Sequence, residues 1–183
     1  MMEQAIALVE TDSIAAGIEA GDAMVKRAAV DLLEARPICP GKYMVLVRGE
    51  VSQVRNALKA GLDAAADTFV DELLLPRVHP AIFSALAMTA LPVDGEALGI
   101  IETVTAATCI VAADAAAKAA HVALLELRLA DGLGGKSYVL IQGMVDEVES
   151  AVDAGVERIA KEGLLVRRVI ITRLHPDMKE KIT

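Results

Sequence analysis

Aromatic residues are scarce in this chain, which has no tryptophan, two tyrosines and two phenylalanines among 183 residues. The sequence therefore lacks the aromatic surfaces on which proteins stack unpaired bases. Basic residues are also few, because 18 lysines and arginines stand against 26 acidic residues, for a net charge of −8. An acidic chain repels a phosphate backbone. We therefore expect no nucleic-acid partner.

Long apolar runs, a basic leader and clustered cysteines are missing as well. No run approaches the roughly 20 unbroken apolar residues of a membrane helix, so we expect no membrane partner. The N-terminus carries Glu3 and no basic region before an apolar stretch, so we expect no signal peptide. Two cysteines, Cys39 and Cys109, do not make a disulfide framework, which favours a reducing cytoplasm.

Small aliphatic residues fill the place that aromatic residues leave. Hydrophobic residues make up 55% of the chain and the mean hydropathy is +0.48. The core must therefore consist of alanine, valine, leucine and isoleucine. A chain this apolar that lacks a membrane segment is predicted to form subunit interfaces. Such interfaces in obligate oligomers are more hydrophobic than ordinary protein surface.

An internal repeat spans nearly the whole chain. The run Ala5-Ile6-Ala7-Leu8-Val9-Glu10-Thr11 returns 92 positions later as Ala97-Leu98-Gly99-Ile100-Ile101-Glu102-Thr103. The shift grows to 94 in the middle of each half and to 96 where Arg77-Val78-His79-Pro80 matches Arg173-Leu174-His175-Pro176. Two copies of so long a period predict tandem domains rather than a solenoid. The Pro/Gly cluster at 91–95 places the boundary between domains 1–92 and 93–183.

Residue periodicity predicts the same elements in each half. Strands are predicted at 5–9, 30–35, 42–48 and 70–78, and again near 98–102, 122–129, 137–142 and 164–173. Ser13 is a good N-cap for the first helix, and apolar residues from Val51 to Leu62 recur at helical spacing. The matching helices of the second half lie near 105–119 and 145–161, and Pro80 predicts a short helix. The order β-α-β-β-α-β is the ferredoxin-like arrangement of an α+β protein.

One loop combines two prolines, a glycine and a cysteine in the run Arg36-Pro37-Ile38-Cys39-Pro40-Gly41-Lys42. The prolines fix their own φ and restrict the residues before them, so the loop is predicted to hold the Cys39 thiol in a set direction. Taken alone, however, the loop favours a connector whose cysteine packs as a small hydrophobic residue. The loop at the equivalent place in the second half has no cysteine and three glycines.

Four stretches carry a resemblance to a known family: Ala5 to Thr11, Gly21-Asp22-Ala23-Met24-Val25-Lys26, Cys39-Pro40-Gly41-Lys42, and Gly132-Leu133-Gly134-Gly135-Lys136. With them the chain resembles tandem-domain bacterial microcompartment shell proteins, and among these the T-type shell proteins of propanediol-utilisation microcompartments. The resemblance implies a structural protein rather than an enzyme. It implies two tandem domains whose homotrimer forms a flat pseudohexagonal tile, in a shell within the bacterial cytoplasm. The implied partners are other shell proteins and encapsulated redox enzymes.

The resemblance also implies roles for individual residues. Lys26 and Lys118 would lie on tile edges, and a central pore would be surrounded by Pro37, Ile38, Cys39, Pro40 and Gly41 together with Gly132, Leu133, Gly134 and Gly135. One four-iron, four-sulfur cluster per trimer would be held by one Cys39 from each chain. Ile38, Pro40 and Gly41 would line that site, with the backbone N–H groups of residues 38, 39 and 41 donating to cluster sulfurs. Thiolates suit iron–sulfur clusters, but also zinc and Cu(I).

Other interpretations stay open at this point. One is a shell tile with a cluster-free pore that passes small metabolites. Another is a trimeric regulatory protein, which would need charged or phosphate-binding loops. A single-chain electron carrier would need clustered cysteines. Cys109, His79, His175, Glu10 and Glu102 are predicted to be structural.

Overall fold

The computed structural model describes residues 4–161 and 163–182. Contacts between these residues define two compact units. Unit 1 comprises residues 4–78 together with Ala130–Gly135, and unit 2 comprises residues 79–129 and 136–182 outside the gap. The predicted boundary between residues 92 and 93 refers to the sequence repeat and stays a prediction. The outermost residues of the two predicted domains, 1–3 and 183, lie outside the described residues.

Unit 1 has the predicted β-α-β-β-α-β order. Its elements are β1 (Ala5–Thr11), α1 (Ile14–Arg27), β2 (Asp31–Ile38), β3 (Lys42–Gly49), α2 (Val51–Ala65) and β4 (Phe69–Leu75). The strands form one antiparallel sheet in the order β2-β3-β1-β4. This is the ferredoxin-like order, so the predicted fold is confirmed.

The helices of unit 1 pack on one face of the sheet. Residues on a strand alternate between the two faces of the sheet, so every second residue of β1 faces the helices. Ala5, Ala7 and Val9 of β1 form a buried cluster with Met24 of α1 and Val54 of α2. Ser13 caps α1 as predicted, since its side chain accepts a hydrogen bond from the backbone N–H of Ala16.

Unit 2 repeats the arrangement and adds a short helix at each end. Its elements are α3 (Ala81–Leu86), β5 (Ala97–Thr103), α4 (Ala106–Ala119), β6 (Ala123–Leu129), β7 (Ser137–Gly143), α5 (Val145–Ile159), β8 (Leu165–Ile171) and α6 (Pro176–Ile182). The sheet order is β6-β7-β5-β8, again antiparallel throughout. The α3 helix packs against β6 and α4.

Two predicted strand ends differ from the observed ones by three residues, and each lies next to a proline. β2 does not end at Ala35 but runs through Pro37 to Ile38, since it is an edge strand and an edge position tolerates the missing N–H. β4 ends at Leu75 rather than Val78, because Pro76 follows and cannot donate to the ladder. None of the helices within the described residues has the length and apolarity to cross a membrane.

Candidate functional site

Cys39 sits in a three-residue hairpin loop between β2 and β3. Ile38 and Lys42 are paired across the base of the loop, and the Ile38 side chain is buried. Gly41 has φ +79°, a backbone conformation that favours glycine, and the Cys39–Pro40 peptide bond is cis. Cys39 itself is half-buried and unpaired, while Pro40 is exposed. The loop therefore presents a free thiol from a hairpin anchored in the core through Ile38.

The segment Ala130–Gly135 lies beside this loop within unit 1. The backbone N–H of Cys39 donates to the carbonyl oxygen of Ala130 at 3.1 Å. A Cβ atom on Gly135 would lie 3.1 Å from the Cys39 carbonyl oxygen, so glycine permits the close approach. The Cys39 N–H, which is expected from the sequence to donate to a cluster sulfur, has the Ala130 carbonyl as its acceptor in this structure, and the cluster contact stays a prediction.

The remaining glycines of this segment face open space. A Cβ atom on Gly132 or Gly134 would meet no heavy atom within 4 Å, although both residues have positive φ. Leu133 between them is half-buried. Backbone conformation rather than crowding therefore explains the glycines at 132 and 134, and the surface beside the Cys39 loop has room for a further group.

Lysine–glutamate pairs stand at the start of the third strand in each repeat. Lys42 Nζ lies 3.3 Å from Glu10 Oε2, and Glu10 is fully buried. Lys136 and Glu102 form the equivalent pair in unit 2. Both glutamates thus have the structural hydrogen-bonding role that the sequence predicts. Removing Lys42 would take this cation away from the buried Glu10 carboxylate, which is costly for a buried group.

Cys109 lies fully buried in α4, as the structural prediction requires. Burial raises the pKa of its thiol to about 12, against a smaller lowering by a side-chain hydrogen bond with Thr103. A thiol with so high a pKa is protonated at neutral pH and is a poor nucleophile and ligand. Within residues 4–161 and 163–182, one chain brings together no group of three or more potential metal-ligating side chains.

The two lysines assigned to tile edges end matching helices but differ in their surroundings. Lys26 pairs with Asp22 on the surface of α1, where both side chains are largely exposed. Lys118 pairs with Asp114 of α4, whose carboxylate is buried and also accepts the backbone N–H of His79 at 2.8 Å. Sequence reasoning missed Asp114. The signal was available, because each aspartate precedes its lysine by four residues in both repeats.

The histidines at the strand ends have a shared local role, as predicted. The His79 ring accepts a hydrogen bond through Nδ1 from the backbone N–H of Ala81, and His175 accepts one from that of Asp177, each at 3.3 Å. Each histidine thereby shapes the turn into the short helix that follows it.

Comparison with known proteins identifies the repeat as a family domain. The model of the BMC domain matches residues 5–78 and again residues 97–174, which together cover most of the chain. The chain belongs to the bacterial microcompartment shell proteins. The two matched segments are the two sequence repeats, so the shell protein contains the predicted pair of tandem domains.

Relatives support this assignment over nearly the full length. The shell protein is 43% identical to the bacterial microcompartment shell protein PduT of Citrobacter freundii, over 97% of this chain and 96% of that one. It is 30% identical to the carboxysome assembly protein CcmO of a Synechocystis strain, over 98% of this chain and 65% of the relative. A crystal structure of a microcompartment protein from Desulfitobacterium hafniense DCB superposes with a TM-score of 0.89 at 48% identity. It covers 97% of this chain and 99% of that one.

These findings define the class of protein. The relatives are structural shell proteins, and this chain is a PduT-like structural shell protein rather than an enzyme. Its place is the shell of a bacterial microcompartment.

Proposed function

We propose that three copies of the shell protein close into a pseudohexagonal tile around a central pore, and that one Cys39 per chain holds an iron–sulfur cluster there. We infer the trimer from a difference in side-chain burial between the two repeats. Several apolar side chains that are buried in one repeat are exposed at the equivalent positions of the other. In a closed ring of chains joined head to tail, each chain covers the open surface of the next, so every such surface has a partner.

The first open surface is the outer side of α1. Ile18 has 55% of its surface exposed, whereas its repeat equivalent Ile110 in α4 has none. Ile14 and Val25 are also exposed, and their equivalents Ala106 and Ala117 are buried. Because the two repeats have the same fold, a surface covered in one and open in the other indicates an interface with a second copy.

The second open surface involves the short C-terminal helix. Met178 of α6 is exposed, while its equivalent Ile82 in α3 is fully buried. On β2, Leu32 is exposed, while its equivalent Leu124 on β6 is buried. Since α3 packs against β6, we expect α6 of one copy to pack against β2 of the next in the same way.

The loop chemistry fits a cluster in this assembly. Cys39 is a free, half-buried thiol on a loop between an exposed Pro37 and an exposed Pro40, so three symmetry-related loops can direct three thiolates at one axis. Iron–sulfur clusters are commonly held by four cysteine thiolates, and three would leave one iron for another ligand. The Ala130 carbonyl fixes the loop backbone. Ile38, Pro40 and Gly41 would line the site, with Pro37 and Gly132, Leu133, Gly134 and Gly135 around the pore.

Such a cluster supplies one-electron redox chemistry when bound. The tile would then transfer electrons across the shell to encapsulated redox enzymes, with other shell proteins as lateral neighbours through Lys26 and Lys118. The second candidate is a cluster-free pore for small metabolites. The open space around Gly132 and Gly134 supports it, since that space also suits a passage for small molecules.

Metal analysis of protein purified without oxygen tests the cluster. We expect about four iron atoms and four acid-labile sulfides per three chains, with a broad visible band that bleaches on reduction. Cys39→Ser should lose the iron and keep the trimer. Cys109→Ala is the matched control and should keep the iron, because Cys109 is buried away from solvent. A protein without iron even after anaerobic reconstitution would favour the metabolite pore.

A further inference from the structure

The buried carboxylate of Asp114 connects a backbone turn to the lysine at the end of α4. Its Oδ1 accepts the backbone N–H of His79 at 2.8 Å, and its Oδ2 lies 2.5 Å from Lys118 Nζ. Only 7% of the side chain is exposed. A carboxylate is tolerated at such a position because each oxygen has a donor. His79 and Lys118 together therefore satisfy Asp114.

Asp22 is the repeat equivalent of Asp114, but within the described residues it has only one of the two donors that Asp114 has. It lies at the same place in α1 and forms the same ion pair, with Lys26 Nζ 2.5 Å from Oδ2. Its side chain, however, is 54% exposed. Within the described part of the chain, no backbone N–H donates to its Oδ1. Asp22 thus presents a carboxylate oxygen whose counterpart in the other repeat has a backbone donor.

The backbone N–H of His175 is the repeat equivalent of the His79 donor, and it too lacks a partner within the described residues. His175 stands where His79 stands in the first repeat, and each histidine is followed by a proline and a short helix. Both rings accept the backbone N–H two residues further on through Nδ1 at 3.3 Å, so the two turns share a local geometry. Yet the His175 N–H meets no acceptor among residues 4–161 and 163–182.

We propose that Asp22 accepts the backbone N–H of His175 of the partner subunit, reproducing between chains the bond that Asp114 makes within one. The inference rests on the proposed trimer and names one of its contacts. Each interface of the ring would contain one such bond, so closure satisfies three acceptors and three donors. An open or reversed arrangement leaves at least one pair unmatched. Asp22 is therefore one of the groups whose hydrogen bonding the closed ring completes.

The proposed hydrogen bond between Asp22 and the partner subunit also affects Lys26, the residue assigned to the tile edge. Asp22 would use Oδ1 for the partner subunit and Oδ2 for Lys26, as Asp114 does for His79 and Lys118. Closing the ring would bury the carboxylate and so strengthen its pairing with Lys26, because a charge pair interacts more strongly away from water. The edge lysine would then be held more firmly in the assembled trimer than in the single chain, where it already pairs with Asp22.

Amide hydrogen exchange, read residue by residue in the isolated trimer, tests the contact. We expect the His175 amide to be protected in the wild type and to exchange about tenfold faster or more in Asp22→Ala, which removes the acceptor. Asp22→Asn keeps an amide oxygen and should retain most of the protection. Two amides serve as internal controls and should be unchanged. One is that of His79, and the other is that of Leu174, which donates to the Glu96 carbonyl at 3.1 Å.

Glu19→Ala is the matched control variant, because Glu19 is exposed on the same helix. It should leave the His175 amide protected. Equal His175 exchange in wild-type and Asp22→Ala trimers would overturn the contact while leaving the trimer intact. A wild-type protein that sediments as a monomer would instead overturn the proposed trimer. If Asp22→Ala cannot form trimers, Asp22→Asn decides: a trimer with protected His175 supports the contact, and a monomer or rapid exchange contradicts it.

Discussion

At the scale of single residues, the two cysteines show how environment separates the uses of one side chain. Cys39 lies in a hairpin loop and is half-buried, whereas Cys109 lies inside α4 without solvent contact. The repeat places glycine at position 17 where the second half has Cys109. A Cβ atom on Gly17 would lie 2.4 Å from the Cβ of Tyr43, so this position has no room for a larger residue in unit 1.

This contrast predicts the reactivity of the thiols. In cluster-free protein at pH 8, an aromatic disulfide reagent should label one cysteine per chain rapidly, and the second only after unfolding in guanidinium. The pKa of Cys109 is raised to about 12, so its thiol stays protonated at pH 8 and still at pH 9, besides being inaccessible.

Cys39→Ser is the control for that labelling. The variant should show no rapid reaction, since only Cys109 is left. Rapid labelling of the folded variant would mean that α4 opens readily and that Cys109 is not a core residue.

At the scale of elements, α3 and α6 occupy equivalent places in the two repeats but lie in different environments. Ile82 of α3 is fully buried, and its equivalent Met178 in α6 is exposed. The same side chain position is thus part of the core in one repeat and, by the proposed assembly, part of an interface in the other.

Aspartate substitutions at these two positions should therefore have different effects. Ile82→Asp should lower the stability of the chain by several kcal/mol, on the order of 3 or more, because it buries a charge in the core. Met178→Asp should leave the folded chain intact and weaken the trimer, which sedimentation velocity over a dilution series would measure. Glu180→Gln, on the exposed surface of α6, is the control and should leave the trimer unchanged. A trimer unaffected by Met178→Asp would contradict the proposed interface.

At the scale of the whole molecule, the two edge lysines are alike in sequence and unlike in context. Lys26 pairs with an exposed aspartate, a type of pair worth about 0.3–0.5 kcal/mol on a helix. Lys118 pairs with a buried aspartate, and truncating one member of such a pair costs on the order of 1–3 kcal/mol.

Alanine substitutions should separate tile assembly from stability. Lys26→Ala should abolish or weaken extended sheets under electron microscopy while the denaturation midpoint of the chain stays nearly unchanged. Lys118→Ala should lower that midpoint as well, because Asp114 loses its cation. Sheets that form normally from Lys26→Ala would contradict the edge role of Lys26, and equal midpoints for both variants would contradict the distinction drawn between the two aspartates.

The sequence by itself determined the duplication, the order of elements and the family. These follow from local properties: the apolar periodicity of strands and helices, the cap at Ser13 and a repeat that can be aligned residue by residue. It did not determine where β2 and β4 end, because both are edge strands, where a proline can be part of the ladder, as Pro37 is opposite Tyr43, or follow the last strand residue, as Pro76 does.

Only the tertiary structure decided how equivalent residues differ. Asp22 and Asp114 stand at equivalent positions of the repeat, each with a lysine four residues on, yet one is exposed and the other is buried against the His79 N–H. The Ala130 carbonyl likewise takes the Cys39 N–H, which local sequence leaves free to bind elsewhere. Burial and hydrogen-bond partners depend on residues far apart in the chain, so a repeat in the sequence does not specify them. By the proposed assembly, the differences between the halves mark where copies of the shell protein meet.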